Sequence, residues 1–317
     1  AEQFTITIDK TPPVVTKVTS PVSSGLYKID DVIPIEVIFS EDVVVTGLPL
    51  LLLETGDNDR SIDYVSGGEA STITFSYKIS SPDFSSDLSY PSINALALNS
   101  GAINDLAGNP VILILPSPGL PGSLSHEKDL IIDTVAPTAT HSGAPSAVSS
   151  VTSLTISVAG NEVTHYRYKI GDASTTVCDN AAGYAAPTMI TTQISHSVAS
   201  IANGSPVRIC LIGRDLAGNW QELSAATTHS WTKDTTAPTA IITGAPSGDS
   251  RSTSLDIIIS GDNIEEYKYK IGIDNTTDCA DAVGYSIAKV QSTAIEDSIA
   301  GFDDGIIKVC VVGKHTN

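Results

Sequence analysis

The sequence predicts an all-β chain in which three antiparallel β-sandwich modules follow one another, the last lacking its final strand. Three observations lead there. A phrase of the form Asp-x-x-x-Pro occurs three times, as Asp9-Lys-Thr-Pro-Pro13, Asp133-Thr-Val-Ala-Pro137 and Asp234-Thr-Thr-Ala-Pro238, which marks an array of repeats. Val, Ile, Thr and Ser dominate between Gly, Pro, Asn and Asp, a composition that suits pleated, half-buried strands. Short alternating runs recur with turn residues between them, and no stretch has the length and periodicity of a long helix.

Residues 1–8 contain the alternating run Phe4-Thr-Ile-Thr-Ile8, a strand that either closes an upstream module or is donated to another chain. Module 1, residues 9–132, carries strand runs at Ile33–Phe39, Val43–Val45, Leu50–Leu53, Ser71–Tyr77 and Val111–Leu115, with one turn of helix expected over Pro91–Leu98. Its longer loops, 80–92 and 117–125, account for its size. Modules 2 (133–233) and 3 (234–317) are copies: Tyr166-Arg-Tyr-Lys-Ile-Gly171 matches Tyr267-Lys-Tyr-Lys-Ile-Gly272, and Val207–Arg214 matches Ile307–Lys314. Aligned in this way, module 3 stops before the counterpart of the strand around His229-Ser-Trp231.

The four cysteines fall as one pair in each copy, Cys178 with Cys210 and Cys279 with Cys310, and neither pair has a close metal-binding spacing. Equivalent placement in two repeats predicts two disulfides within modules and an oxidising compartment, hence a secreted or cell-surface chain. Ala1 fits a mature exported chain trimmed after a small residue. The formal charge of −19 and the lack of clustered Lys and Arg along the sequence argue against nucleic acid and anionic membrane surfaces. The apolar run Val111–Leu115 falls well below the ~20 residues a membrane-spanning helix needs.

The stretch Ile33 to Phe39-Ser-Glu-Asp-Val43, with Tyr64-Val-Ser-Gly-Gly68, Asp87-Leu-Ser-Tyr90, Ala95-Leu-Ala-Leu-Asn99 and Ile103-Asn-Asp-Leu-Ala-Gly-Asn109, resembles the immunoglobulin-like repeats of large bacterial surface and adhesin proteins. Modules 2 and 3 resemble a second immunoglobulin-like type through the Asp-x-Thr-x-Pro opening and Asp215-Leu-Ala-Gly-Asn219. The resemblance implies immunoglobulin-like sandwiches in an extracellular stalk, and partners that are copies of the same chain or ligands on a host or neighbouring cell.

Two readings apply to Asp105-Leu-Ala-Gly-Asn109 and Asp215-Leu-Ala-Gly-Asn219: Asx-type turns in which the Asp caps backbone donors, or calcium sites. In the calcium reading Asp105, Asn109, Asp215 and Asn219 join the junction acids Asp9, Asp133 and Asp234, as acidic junctions do in related surface arrays; no cofactor is otherwise required. In module 3 a His, His315, stands where module 2 has Asp215. Other acidic pairs, such as Glu41-Asp42 and Asp303-Asp304, read as solvated turns. The histidines are scattered, and no G-x-S-x-G elbow occurs, so no catalytic site is expected. Trp220, Trp231 and the paired tyrosines 166, 168, 267 and 269 form a core face or a sugar-stacking surface, the latter giving the alternative of a carbohydrate-binding accessory region of a secreted enzyme. The spare strand at the start, with Phe4, Ile6 and Ile8 on one apolar face, complements the strand missing from module 3. Donation from one copy to the next would build a head-to-tail fibre.

Overall fold

The computed structural model describes residues 8–315, and the chain is nearly all β, with 44% strand and 2% helix. Phe4 and Ile6 lie outside the described residues, while Ile8 is 75% exposed and belongs to no strand. Buried side chains gather into three separate cores, one within residues 15–132, one within 139–231 and one within 255–295.

The first core is built around the strand Val32–Thr46. Ile33, Ile35, Val37 and Phe39 point inward and are at most 3% exposed, as period-two alternation requires. This strand lies between Val15–Thr19 and Ala70–Lys78, and the sheet continues through Arg60–Ser66 and Leu50–Leu53 to Leu96–Ala97. Its register with Ala70–Lys78 breaks between Ile38 and Val43, and from Val43 onward it pairs with Ala102–Asp105. A bulge of this kind turns the strand and re-aims its side chains, and Glu41 lies within it. A smaller sheet joins Gly25–Tyr27, Leu130–Asp133 and Phe84–Ser85.

Two expected elements of the first region differ. Val111–Leu115 is no strand but extended chain with a single bridge, Val14 to Ile112. Pro110 and Pro116 bound the run, and a residue without N–H cannot extend a ladder. Pro91–Leu98 forms turns followed by the strand Leu96–Ala97, because Leu96 is drawn into register with Leu51. The helical turn of this region lies instead at Leu124–Glu127, starting within the expected loop 117–125 and running past its end.

The second core lies between the sheet Thr140–Ser142, Ser153–Ala159, Ile194–Ser197 and a five-stranded sheet. In the latter, His165–Asp172 pairs along its full length with residues 207–214 of the strand Pro206–Arg214, Thr227–Lys233 covers the next edge, and Val148–Ser149 and Thr188–Met189 are the outer strands. The third region repeats this arrangement with the same registers, Glu266–Ile273 against Ile307–Lys314. Among the described residues, nothing stands beside Ile307–Lys314 where Thr227–Lys233 stands in the second. The difference is visible in packing: Val207, Ile209 and Leu211 are fully buried, while Ile307, Val309 and Val311 are half-buried.

Candidate functional site

The recurring Asp has the same local task in all three phrases. Asp9 Oδ1 accepts from Thr11 N at 3.0 Å, Asp133 Oδ1 from Val135 N at 2.9 Å, and Asp234 Oδ1 from Thr236 N at 2.9 Å. Each is an Asx turn, in which a carboxylate one carbon from the backbone reaches the amide two residues on.

The Asp-Leu-Ala-Gly-Asn segments are tight turns folded around a buried carboxylate. Asp215, 3% exposed, accepts from Gly218 N at 2.6 Å and Asn219 N at 2.8 Å through Oδ1, and from Asn219 Nδ2 at 2.9 Å through Oδ2. Asp105 accepts from Asn109 N and Asn109 Nδ2, both at 2.7 Å. Burial alone would raise the Asp105 carboxyl, but the bonds from Asn109, Gly108 and Ala107 outweigh it and hold it below the usual range. Gly218, at φ +104°, occupies the left-handed region that a side chain resists. The Asn amide also reaches outward: Asn219 Nδ2 donates to Asp133 O at 2.9 Å and Asn109 Nδ2 to Asp9 O at 3.3 Å. The motif thus latches a late turn of the first and second regions to the phrase that opens each of them.

As a metal site the junctions are unequal. Asp9, Asp105 and Glu41 bring carboxylate oxygens within 4.8 Å of one another, and they are the one such acidic cluster among the described residues. Glu41 was not among the expected ligands; only the bulge in Val32–Thr46 brings it there. Burial, then the charges of Asp9, Asp105 and Asp42, push its carboxyl up. A calcium ion needs about six to eight oxygens, whereas both Asp105 oxygens and Asp9 Oδ1 already accept N–H groups. At the second junction Asp133, Asp215 and Asn219 come together as a hydrogen-bonded turn, without a third carboxylate. Asp234 is held by Thr236.

Both disulfides form as the spacing predicts, Cys178 to Cys210 and Cys279 to Cys310, and no cysteine is free. Each fastens a loop to the outer face of a strand, and the loop is held by further bonds that the two copies share. Lys169 Nζ donates to Asn180 O at 2.7 Å and lies 4.6 Å from the Tyr184 ring, whose hydroxyl donates to Cys178 O at 2.9 Å. Lys270 repeats this with Asp281 O at 2.6 Å and Tyr285 at 4.6 Å, and Tyr285 donates to Cys279 O at 2.8 Å.

The aromatic residues divide. Tyr166, Tyr267 and Trp231 are buried to within 2% and belong to the packing, the tyrosines donating to Thr192 O and Thr293 O. Tyr269 is 9% exposed and Tyr168 half-buried, so the tyrosine rows offer no open sugar platform. Trp220 alone of the two tryptophans is partly exposed.

A histidine pair sits beside Trp231. The rings of His141 and His229 are 5.4 Å apart, His229 stacks on the Trp231 indole at 6.0 Å, and His141 Nδ1 is buried with no partner. Burial, then His229, lowers the His141 pKa; burial alone lowers that of His196. Both bind protons more readily in the unfolded chain, whose His pKa is about 6.5, so the stability they contribute is complete above that pH and lost as the pH falls below it. Melting temperatures measured from pH 7 down to pH 5 should fall in the wild type and fall less in His141→Phe; equal slopes would remove His141 from the effect.

No model of a known protein family matches the chain, and no curated protein matches it. Among the solved structures with some likeness are three of Escherichia coli alpha-2-macroglobulin. The native conformation has a TM-score of 0.22 at 8% identity, over 95% of this chain and 21% of that one. The form activated by porcine elastase scores 0.21 at 10% identity, over 94% and 28%. The fragment spanning domains MG0-NIE-MG1 scores 0.19 at 8% identity, over 96% and 97%. The chain thus spans about a fifth of the native macroglobulin, and likeness at these scores carries no argument.

Proposed function

We propose that this chain is part of an extracellular, non-catalytic array of immunoglobulin-like sandwiches at residues 9–132, 133–233 and from 234 onward, serving as the stalk of a bacterial surface adhesin. The observation that carries the reading is the pair of disulfides in equivalent places with no free thiol left over, a pattern of oxidising compartments. The supporting chemistry is that of construction: the acidic residues of the repeated motifs serve turns and latches, and three cores follow in sequence order. Nothing in the reading requires a cofactor. For calcium the proposal is confined to the first junction, where a divalent ion would offset the mutual repulsion of Asp9, Glu41 and Asp105.

A second reading, a fibre in which residues 1–8 of one copy complete the third sandwich of the next, is favoured by the open edge of Ile307–Lys314 and the half-buried Val309 and Val311 beside it. Continuing chain of the same molecule would fill the same slot. One preparation from the source cells tests both readings. Alkylation without reductant should leave all four cysteines unmodified, and reaction at any of the four in freshly prepared material overturns the extracellular reading. Gel filtration with residues 1–8 kept or removed then separates the fibre, which should dissociate on deletion, from the stalk, which should not change size.

A further inference from the structure

In a chain with 36 acidic and 17 basic residues, the second and third regions collect most of their cations on one face. Arg167, Lys169, Arg208 and Arg214 are four of the five Lys and Arg residues in 133–233, and the register of His165–Asp172 with Pro206–Arg214 puts all four on the same side of two paired strands. Lys268, Lys270, Lys308 and Lys314 repeat the placement. Half of each set is already used. Lys169 and Lys270 bind carbonyls of the disulfide loops, as do Arg208, through Thr176 O at 3.1 Å, and Lys308, through Asp274 O at 3.0 Å.

The remaining positions differ between the copies. In the third region Lys314 is neutralised by Glu266, the residue directly opposite it, at 3.0 Å. In the second, the residue opposite Arg214 is His165, and among the described residues neither Arg167 nor Arg214 has an acidic partner. Arg214 Nη2 lies 3.1 Å from His165 Nδ1, which must accept because a guanidinium only donates. The Nε atoms of both arginines are enclosed without an acceptor. Trp220 completes the group, its ring 4.6 Å from Arg167 Cζ and 5.4 Å from Arg214 Cζ. Two guanidinium forks beside a partly exposed indole, left unpaired in an otherwise acidic protein, are donors arranged for a planar anion.

We propose that Arg167, Arg214, His165 and Trp220 bind the carboxylate of a uronate-bearing saccharide. The two arginines take the carboxylate, and the indole takes an apolar C–H face of the sugar ring, which a peptide carboxylate lacks. The charge of −19 repels long polyanions and so selects a short acidic sugar over nucleic acid. The proposal is independent of the stalk and fibre readings.

The test titrates the full chain carrying Trp231→Phe, so that Trp220 is the only tryptophan reporting by fluorescence. Digalacturonate should give a saturable change that weakens with added salt. Arg167→Gln and Arg214→Gln should each weaken binding about tenfold or more, the loss expected for a charge-assisted hydrogen bond. His165→Glu, which rebuilds the ion pair of the other copy, should abolish binding, and Lys268→Gln should leave it unchanged. The proposal is overturned by equal binding of maltose, by inorganic sulfate saturating as tightly, by tighter binding of hexaglutamate, or by no response to digalacturonate in a chain whose melting is normal.

Discussion

Replacing Cys178 and Cys210 together by Ser is expected to cost the second sandwich about 3–4 kcal/mol, the loop-closure entropy of a cross-link spanning a few tens of residues; the bridge encloses a separation of 32. For a region of roughly 100 residues this lowers the melting temperature by roughly 15–25 °C. The folded geometry should survive, because Lys169 and Tyr184 still tie the loop to its strand. The matching change at Cys279 and Cys310, with a separation of 31, should cost a similar amount but do more damage. Among the described residues that region has seven buried core residues against twelve, which leaves less stability to lose. Calorimetry of the oxidised and reduced chain measures both. A loss under about 1 kcal/mol, well short of the entropic expectation, would mean that the lysine and tyrosine contacts alone hold the loops.

Trp231→Ala is expected to destabilise the second sandwich by about 3–5 kcal/mol, the usual cost of truncating a buried indole to a methyl group. Trp231 is 2% exposed and lies on the strand that pairs with Val207 to Leu211. Its removal opens a cavity beside Val207, the residue directly opposite it, while the strand itself stays paired. Trp231→Phe should cost far less, since it keeps most of the apolar volume and deletes the indole N–H, which is buried without an acceptor. Chemical denaturation of the two variants side by side is the check. Equal losses would show that the indole N–H has a stabilising partner, a water for instance, that the protein atoms do not supply.

Repeats, disulfide pairing and most strands were legible in the sequence because each depends on local pattern or on spacing conserved between copies within the chain. The turns at Asp105 and Asp215 were legible for the same reason, since each closes within four residues, whereas the Asx turns of Asp9, Asp133 and Asp234 were missed because those residues read only as junction ligands for calcium. What else failed to show needed partners distant in sequence. Glu41 meets Asp9 and Asp105 only because a bulge re-aims one strand. Val111–Leu115 has the composition of a strand, but its flanking prolines deny it a ladder. The expectation of no clustered Lys and Arg is corrected by the structure: Arg167 and Arg214 stand 47 positions apart in the sequence and are joined only by the pairing of their strands. Alternation hides such a face from any linear window, because every second residue points the other way.

The parallel pairing of early and late strands has a bearing on load. Gly25–Tyr27 lies beside Leu130–Asp133, and Val148–Ser149 beside Thr227–Lys233, each pair running in the same direction. When the chain is pulled from both ends, parallel neighbours slide in opposite senses, so their hydrogen bonds are strained together in shear and not opened one at a time. The Asn109 and Asn219 latches lie in the same force path, fastening each turn to the phrase that enters the sandwich. Under tension the first two regions therefore hold until these bonds give way together, and yield late.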